Sequence, residues 1–414
     1  MDRVELSQAL RAWRSEEPGA RTGESILISE ADPQKFMAAF ARAVAGNSAV
    51  FLCDPNWGAA EKSQVAALRR QAQTTPATAA GKGWLCIPTG GTGGQLKFAR
   101  HDEETLTAAV RGFVRHFGVT QVNAAGVLPL HHVSGLMAWL RCALTGGEYS
   151  PLDWKTIEGG TRPTLANKPD GWVISLVPTQ LERLLRQPAA VNWLQRFRRV
   201  FLGGGPAWPA LLDQAAAHQL PVSPGYGLTE SAAMITALRP EEFLAGIRSS
   251  GATLPHATVK IGAEDAIVLG GGALFRGYHP QWRDGGDFVT EDHGRIDGHG
   301  HLHVAGRRDA VIITGGEKVE PAEIEAVLRD TGQFPEVVVL GLPDAKWGQL
   351  VVAVYPGHAQ PNFHQAIQVM SRLAVYKRPK RYIPLVGPWP ANEQGKVDRA
   401  GLLGQILRQR KERR

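Results

Sequence analysis

The sequence predicts an α/β protein. Its large N-terminal domain, residues 1–308, combines mixed and parallel sheets with helices, and a small C-terminal α+β domain follows over residues 309–414. Three observations predict this. Short apolar runs alternate with helical stretches through the first two thirds of the chain, the pattern of a largely parallel sheet. Near residue 285 the composition turns to Gly, Asp and His, which is turn and hairpin chemistry. After Arg308 a strand, a helix, two strands and a further helix follow within about a hundred residues, a small-domain size.

The elements follow in order. Pro33–Ala45 and residues 59–73 carry helical periodicity, the first with proline near its start. Between them residues 48–53 form an apolar run of strand length. Residues 84–88 lead into a glycine-rich stretch, and residues 102–117 then read as a helix with acids in its first turn. Buried strands are expected at 124–130, 172–177, 200–202 and 266–269, and helices at 180–186 and 209–218. In the C-terminal part the expected strands are 310–314, 336–342 and 350–355. The helices there are 321–329, opened by proline, and 363–373.

Composition excludes several classes. Hydrophobic residues make up 43% of the chain and charged residues 21%, as in globular proteins. No apolar run approaches a membrane span. The start, MDRVELSQALRAW, lacks the apolar core of a signal peptide, so no secretory leader is expected. Cys53, Cys86 and Cys142 are too few and too scattered for a disulfide framework, and a reducing cytoplasmic setting follows as the default. The net charge of +7 is local: RQRKERR at 408–414 and KRPKR at 377–381 hold most of it. No basic face interleaved with aromatics emerges, so no nucleic-acid partner is expected.

The most informative stretch is IPTGGTGGQLKFAR, residues 87–100. Its glycines let backbone N–H groups curl into a nest that binds phosphate oxygens. Thr89 and Thr92 add hydroxyls and Lys97 a positive charge. The spacing is neither that of a Walker A loop nor that of a dinucleotide fingerprint. Further on, Leu202 runs into Gly203-Gly204-Gly205-Pro206, where absent side chains let a flat ring approach. Tyr226-Gly227-Leu228-Thr229-Glu230 offers an aromatic ring, a hydroxyl and a carboxylate suited to Mg²⁺.

Taken in order, these segments resemble the acyl-adenylate-forming superfamily of acyl-CoA ligases, luciferases and peptide-synthetase adenylation domains. The resemblance spans residues 84–400, and each role below is what it implies. Thr89, Gly90, Gly91, Thr92, Gly93, Gly94 and Lys97 cradle the β- and γ-phosphates of ATP, although Gly93 and Leu96 depart from the family pattern. The stretch LPLHHVSGL, residues 128–136, supplies the acyl pocket and its gate, with His132 facing the acid. Gly203 to Pro206 line the adenine and acyl sites. Tyr226 and Gly227 border adenine, Thr229 touches the α-phosphate, and Glu230 holds Mg²⁺. Asp287, in Gly286-Asp287, and Arg307, in Gly306-Arg307-Arg308-Asp309, take the ribose hydroxyls. Asp309 is the hinge of a mobile C-terminal lid. Gly315 and Gly316 close over the pantetheine channel, and Lys396, in Gly395-Lys396, is the adenylation lysine.

The implied activity is that of an AMP-forming acid–thiol ligase with ATP, Mg²⁺ and coenzyme A. Within the superfamily, IPTGGTGGQLKFARHDEETL and LPLHHVSGLM are most similar to o-succinylbenzoate–CoA ligases of cyanobacterial type, from menaquinone and phylloquinone synthesis. The substrate is then a small carboxylic acid, with His132, Ser134, Ser175 and Gly204 lining its pocket. Its second carboxylate calls for a cation or several donors that the sequence does not place. Another small aryl- or acyl-CoA ligase, or an adenylation enzyme that loads a carrier protein, would use the same chemistry. A non-catalytic binding protein is opposed by the intact Lys396, Glu230 and Asp287. His293, His299, His301 and His303 with Asp297 invite a metal reading, which the family's plain β-hairpin at this position opposes.

Overall fold

The structure, a computed structural model, describes residues 3–13, 25–46, 48–74, 82–89, 96–390 and 397–412. Four sheets organise them. The first joins β1 (Ile26–Ile28), β2 (Val50–Leu52) and β3 (Leu85–Thr89) in parallel, with β4 (Lys97–His101) antiparallel at its edge. Each parallel step is a crossover through a helix, Pro33–Ala45 and then Ala59–Thr74. Asp32 caps the first of these by accepting from the Lys35 N–H at 2.8 Å, and proline occupies its first turn.

The second sheet is the largest. Its parallel part comprises β5 (Asn123–Gly126), β6 (Tyr149–Pro151), β7 (Trp172–Leu176), β8 (Arg199–Leu202) and β9 (Val222–Leu228), in the spatial order β6-β5-β7-β8-β9. Antiparallel β10 (Ala233–Ala237) and β11 (Ala252–Thr253) finish the β9 side. β7 and β8 are apolar almost throughout, as strands covered on both faces must be. The helices Pro178–Leu185, Pro188–Leu194 and Pro209–Ala217 cover one face in a core containing Trp193, Leu181 and Leu211. The helices Glu103–Phe117 and Val133–Thr145 contribute to the other cores, with Phe113 packed on Phe201 and the fully buried Trp139 packed on Phe40. Truncating a ring buried like Trp139 costs about 3–5 kcal/mol.

The strand expected at 124–130 is shorter than its apolar run. β5 ends at Gly126, and residues 127–130, buried but for the half-buried Pro129, continue without sheet pairing, delivering His131 and His132 to the start of Val133–Thr145. That helix is not foreseen, because residues 135–143 are buried without a break and so lack a polar face.

The third sheet is an antiparallel meander of β12 (Ala257–Ile261), β13 (Ala266–Gly271), β14 (Phe288–Ile296) and β15 (Leu302–Arg307). One 3₁₀ turn, Arg308–Ala310, then leads to the fourth sheet. This contains β16 (Ile312–Thr314), β17 (Glu317–Val319), β18 (Val338–Asp344), β19 (Gly348–Pro356) and β20 (Arg381–Leu385). Its own apolar cores gather Ile324, Phe334 and Val351 on one side, and Val352, Leu385 and Leu402 on the other. The helix Pro321–Asp330 also touches the second sheet's helices, with Arg329 lying 5.3 Å over the Trp208 ring. Cys53, Cys86 and Cys142 are buried free thiols, and burial pushes each up to about 12. Among the described residues no helix is long and apolar enough to cross a membrane.

Candidate active site

Ser175, Gly203 to Pro206, Tyr226 to Glu230 and His132 gather toward the C-terminal ends of the second sheet's parallel strands, where open α/β sheets bind ligands. Ser175 stands near the end of β7, in register with Phe201 of β8. Gly203, Gly204, Gly205 and Pro206 follow β8, with Gly204 in the left-handed region at φ +78°. His132 is the extended residue capping Val133–Thr145, and Ser134 lies in its first turn. All four strand ends belong to one sheet, so a single rigid platform presents the glycine turn, the tyrosine segment and the histidines.

Tyr226 to Glu230 form the centre. Gly227 is required by close backbone approach, since a Cβ there would meet the Ala233 carbonyl oxygen at 1.7 Å. β9 then ends and Thr229–Ser231 form a 3₁₀ turn. His101 holds this turn from beneath: its Nε2 lies 2.8 Å from the Thr229 carbonyl, which can only accept, so Nε2 carries the proton. Burial lowers the His101 pKa to about 4 and keeps the ring neutral.

Glu230 is almost fully buried, and its Oε1 accepts the Tyr278 hydroxyl at 2.6 Å. Burial first, and then the Glu230 carboxylate, drive the Tyr278 phenol upward, so it remains a donor. Above the Tyr278 ring, at 5.4 Å from its centroid, lies the Lys97 ammonium. This tyrosine is carried by a segment that pairs with β4: Arg100 N donates to Gly277 O and His279 N to Phe98 O, each at 2.9 Å. Tyr278 was not expected from the sequence, and it joins Lys97 to Glu230. Thr89 pairs with Lys97 across β3 and β4. Gly90, Gly91, Thr92, Gly93 and Gly94 lie outside the described residues.

Asp287 is exposed in the approach to β14 and pairs with Lys260 at 3.0 Å. Asp292, not singled out from the sequence, is the carboxylate that meets Tyr226. The Tyr226 hydroxyl donates to Asp292 Oδ2 at 2.7 Å, and Asp292 faces Arg307 in the β14–β15 register. Alternation along β14 explains why: Thr290, Asp292 and Gly294 face inward while Val289 and Glu291 face out. A carboxylate on the buried face of β14, where apolar side chains are the rule, is the signal that would have identified it. Arg307 also grips Asp309 through two 2.7 Å hydrogen bonds, which raise its already high pKa.

Gly315 and Gly316 form the exposed turn between β16 and β17, with φ of +59° and +86°, and the Trp347 ring fills the space a Gly315 Cβ would need. Lys396 lies outside the described residues. Its neighbours in sequence are anchored, because Asp398 N donates to Pro390 O at 2.9 Å and Arg399 reaches the buried Glu325 at 2.5 Å. The histidines of the third sheet separate: His303 binds Asp297, His293 binds Glu320, and His301 lies 3.6 Å from Glu242. A cavity of about 240 Å³ opens between Trp172 and Trp193, at the end of β7 opposite Ser175, and contains none of the predicted residues.

Similarities to known proteins bear on this site. The family described as AMP-binding enzyme matches residues 7–279. The chain is 32% identical over 326 residues to a 2-succinylbenzoate–CoA ligase of Enterococcus faecalis, covering 75% of this chain and 67% of that one. With the ligase of the same name from Listeria monocytogenes it shares 34% over 321 residues, 75% of this chain and 68% of that one. Among solved structures, the o-succinylbenzoate CoA synthetase of Bacillus subtilis in complex with its acyl-adenylate OSB-AMP superposes with a TM-score of 0.77 at 22% identity, covering 97% of this chain and 91% of the other. ATP-bound MatB of Rhodopseudomonas palustris does so with 0.76 at 21%, covering 98% and 92%. Both share the fold.

Proposed function

The chain belongs to the AMP-binding enzyme family, and on that premise we propose that it is an ATP-dependent acid–CoA ligase. Its acid is o-succinylbenzoate, activated as an acyl-adenylate and released as the CoA thioester, a step of menaquinone or phylloquinone synthesis. The supporting observation is the identity of 32–34% along three quarters of the chain to ligases named for that substrate. The approach of Asp292 and Arg307, on the third sheet, to Tyr226 at the end of β9 in the second, with Glu230 just beyond it, agrees with it.

A carboxylate acylates poorly because its leaving group would be oxide. In the proposed reaction a carboxylate oxygen attacks the α-phosphorus, the bond to pyrophosphate breaks, and a mixed anhydride forms. The coenzyme A thiol then attacks the acyl carbon, AMP departs, and the thiol proton passes to solvent. In this scheme Tyr226 borders the adenine, with Gly203, Gly204, Gly205 and Pro206 beneath. Asp292 and Arg307 hold the ribose hydroxyls, since a carboxylate can accept from both. Thr229 donates toward the α-phosphate. Thr89, Lys97 and the glycines between them receive the outer phosphates. Lys396 draws two mutually repelling anions together and stabilises the charge that develops between them. His132, Ser134 and Ser175 face the acid.

Glu230 is the residue that would hold Mg²⁺: its donors are hard carboxylate oxygens, fixed by Tyr278 beside Lys97. The ion supplies neutralisation of phosphate charge. In this reading residues 309–414 form a lid that swivels at Asp309, exchanging Lys396 for Gly315 and Gly316 between the two half-reactions. The setting is cytoplasmic.

ATP–pyrophosphate exchange tests the proposal, with o-succinylbenzoate measured beside benzoate and medium-chain fatty acids. Exchange led by o-succinylbenzoate is expected. Exchange led by another acid overturns the substrate, and none with any acid overturns the activity.

A further inference from the structure

We propose that Asp54, His131 and His132 form a binding site for one divalent transition-metal ion of the zinc type, in which the His132 ring assigned above to the acid's side is also a ligand of the ion. Asp54 follows β2, in the first sheet. His131 and His132 follow β5, in the second, so the two sheets bring together residues 77 and 78 positions apart. One ligand atom from each lies within 4.8 Å of the other two, and this is the sole group of three such donors among the described residues. His131 Nε2 is 3.6 Å from Asp54 Oδ2. Two ligands each about 2.1 Å from a tetrahedral ion stand roughly 3.4 Å apart, so this pair is already near its metal-bound spacing.

The second observation is the state of His131. The residue is only 3% exposed, and its Nε2 is buried with no hydrogen-bond partner. A buried ring nitrogen without a partner is costly, and a metal ion satisfies it. Asp54 is itself fixed, since its Oδ1 accepts the Asn56 N–H at 2.8 Å. The His131 and His132 rings lie 4.4 Å apart, centre to centre, beside that carboxylate. Two imidazoles and a carboxylate suit zinc or a neighbouring first-row ion, and a hard ion such as Mg²⁺ would prefer all-oxygen donors. Three protein ligands leave a four-coordinate ion one position for an exogenous oxygen. The other His–carboxylate pairs among the described residues, His293–Glu320, His301–Glu242 and His303–Asp297, each offer one imidazole.

Zinc titration of the untagged, chelator-stripped full chain, followed by calorimetry, tests this without reference to ligase activity. One equivalent should bind, and Asp54→Asn and His131→Gln should each weaken binding at least tenfold. His303→Gln should leave that equivalent unchanged. Circular dichroism establishes that the variants fold. Zinc-edge X-ray absorption of the unaltered protein gives a reading independent of them, with a nitrogen and oxygen shell at about 2.0–2.1 Å. Absence of a bound equivalent, full retention in Asp54→Asn and His131→Gln, loss in His303→Gln, or a sulfur shell each overturns the proposal.

Discussion

The Tyr226 hydroxyl donates to Asp292 at 2.7 Å, tying the end of β9 to the inward face of β14. Asp287, five residues earlier, stands exposed against Lys260. The two carboxylates therefore make different predictions. Asp292→Asn should raise the KM for ATP by about 10- to 100-fold, the loss of a hydrogen bond to a charged group at about 1.5–3 kcal/mol. Asp287→Asn should change it by no more than about fivefold, since exposed ion pairs contribute roughly 0–1 kcal/mol. Steady-state kinetics with ATP varied measures both, and the reverse ranking would restore Asp287.

Glu230 is the proposed Mg²⁺ ligand, and Tyr278 orients it. Glu230→Gln should raise the Mg²⁺ concentration for half-maximal adenylation by at least about tenfold, in line with loss of a charged oxygen ligand. Tyr278→Phe should shift it less, by about 2- to 10-fold, as one hydrogen bond near 1 kcal/mol is removed. Magnesium titrations of pyrophosphate exchange measure this, and identical curves for Glu230→Gln and the parent protein reject the assignment.

Lys396 should separate the two half-reactions. Lys396→Ala should slow acyl-adenylate formation by about 10²–10³-fold, the scale of a lost transition-state charge contact. Thioester formation from supplied acyl-adenylate should stay within a few-fold. Single-turnover measurement of each step decides, and equal losses in both would refute a swivelling lid.

His101 makes a prediction for pH. Its folded pKa, lowered by burial to about 4, lies below the ordinary 6.5. A depressed value means stability that is complete above pH 6.5 and lost as pH falls toward 4, at about 1.4 kcal/mol per unit. At pH 7 His101→Gln should be the less stable protein, having lost a ring that bridges Thr229 and Thr105. Between pH 7 and pH 5 the gap between the two should narrow by about 2 kcal/mol. Urea unfolding at both values measures it, and a pH-independent gap rejects the neutral buried ring.

Strands and helices with a clean period were legible in the sequence. β7 and β8 fall where their apolar runs predict, and Pro33–Ala45 begins at its proline. The helix 102–117 was read from its first-turn acids, and Asp102 proves to be its capping residue. Val133–Thr145 was illegible because burial on all sides erases the period that marks a helix. Asp287 stands out in the sequence as part of a Gly-Asp pair, whereas Asp292 escapes notice because the inward face of β14 is visible only once its pairing is known. Nothing in the sequence links Asp54 to His131 or Tyr278 to Glu230, since these contacts arise between sheets. The glycine-rich stretch and Lys396 were legible as motifs alone.

The pairing of residues 277–279 with β4 gives that edge strand a mechanical office. Lys97 opens it, and Tyr278 rides on the ribbon stitched beside it. Tyr278 thus sets the Lys97 ammonium and the Glu230 carboxylate against one common beam, along which the proposed polyphosphate chain would register.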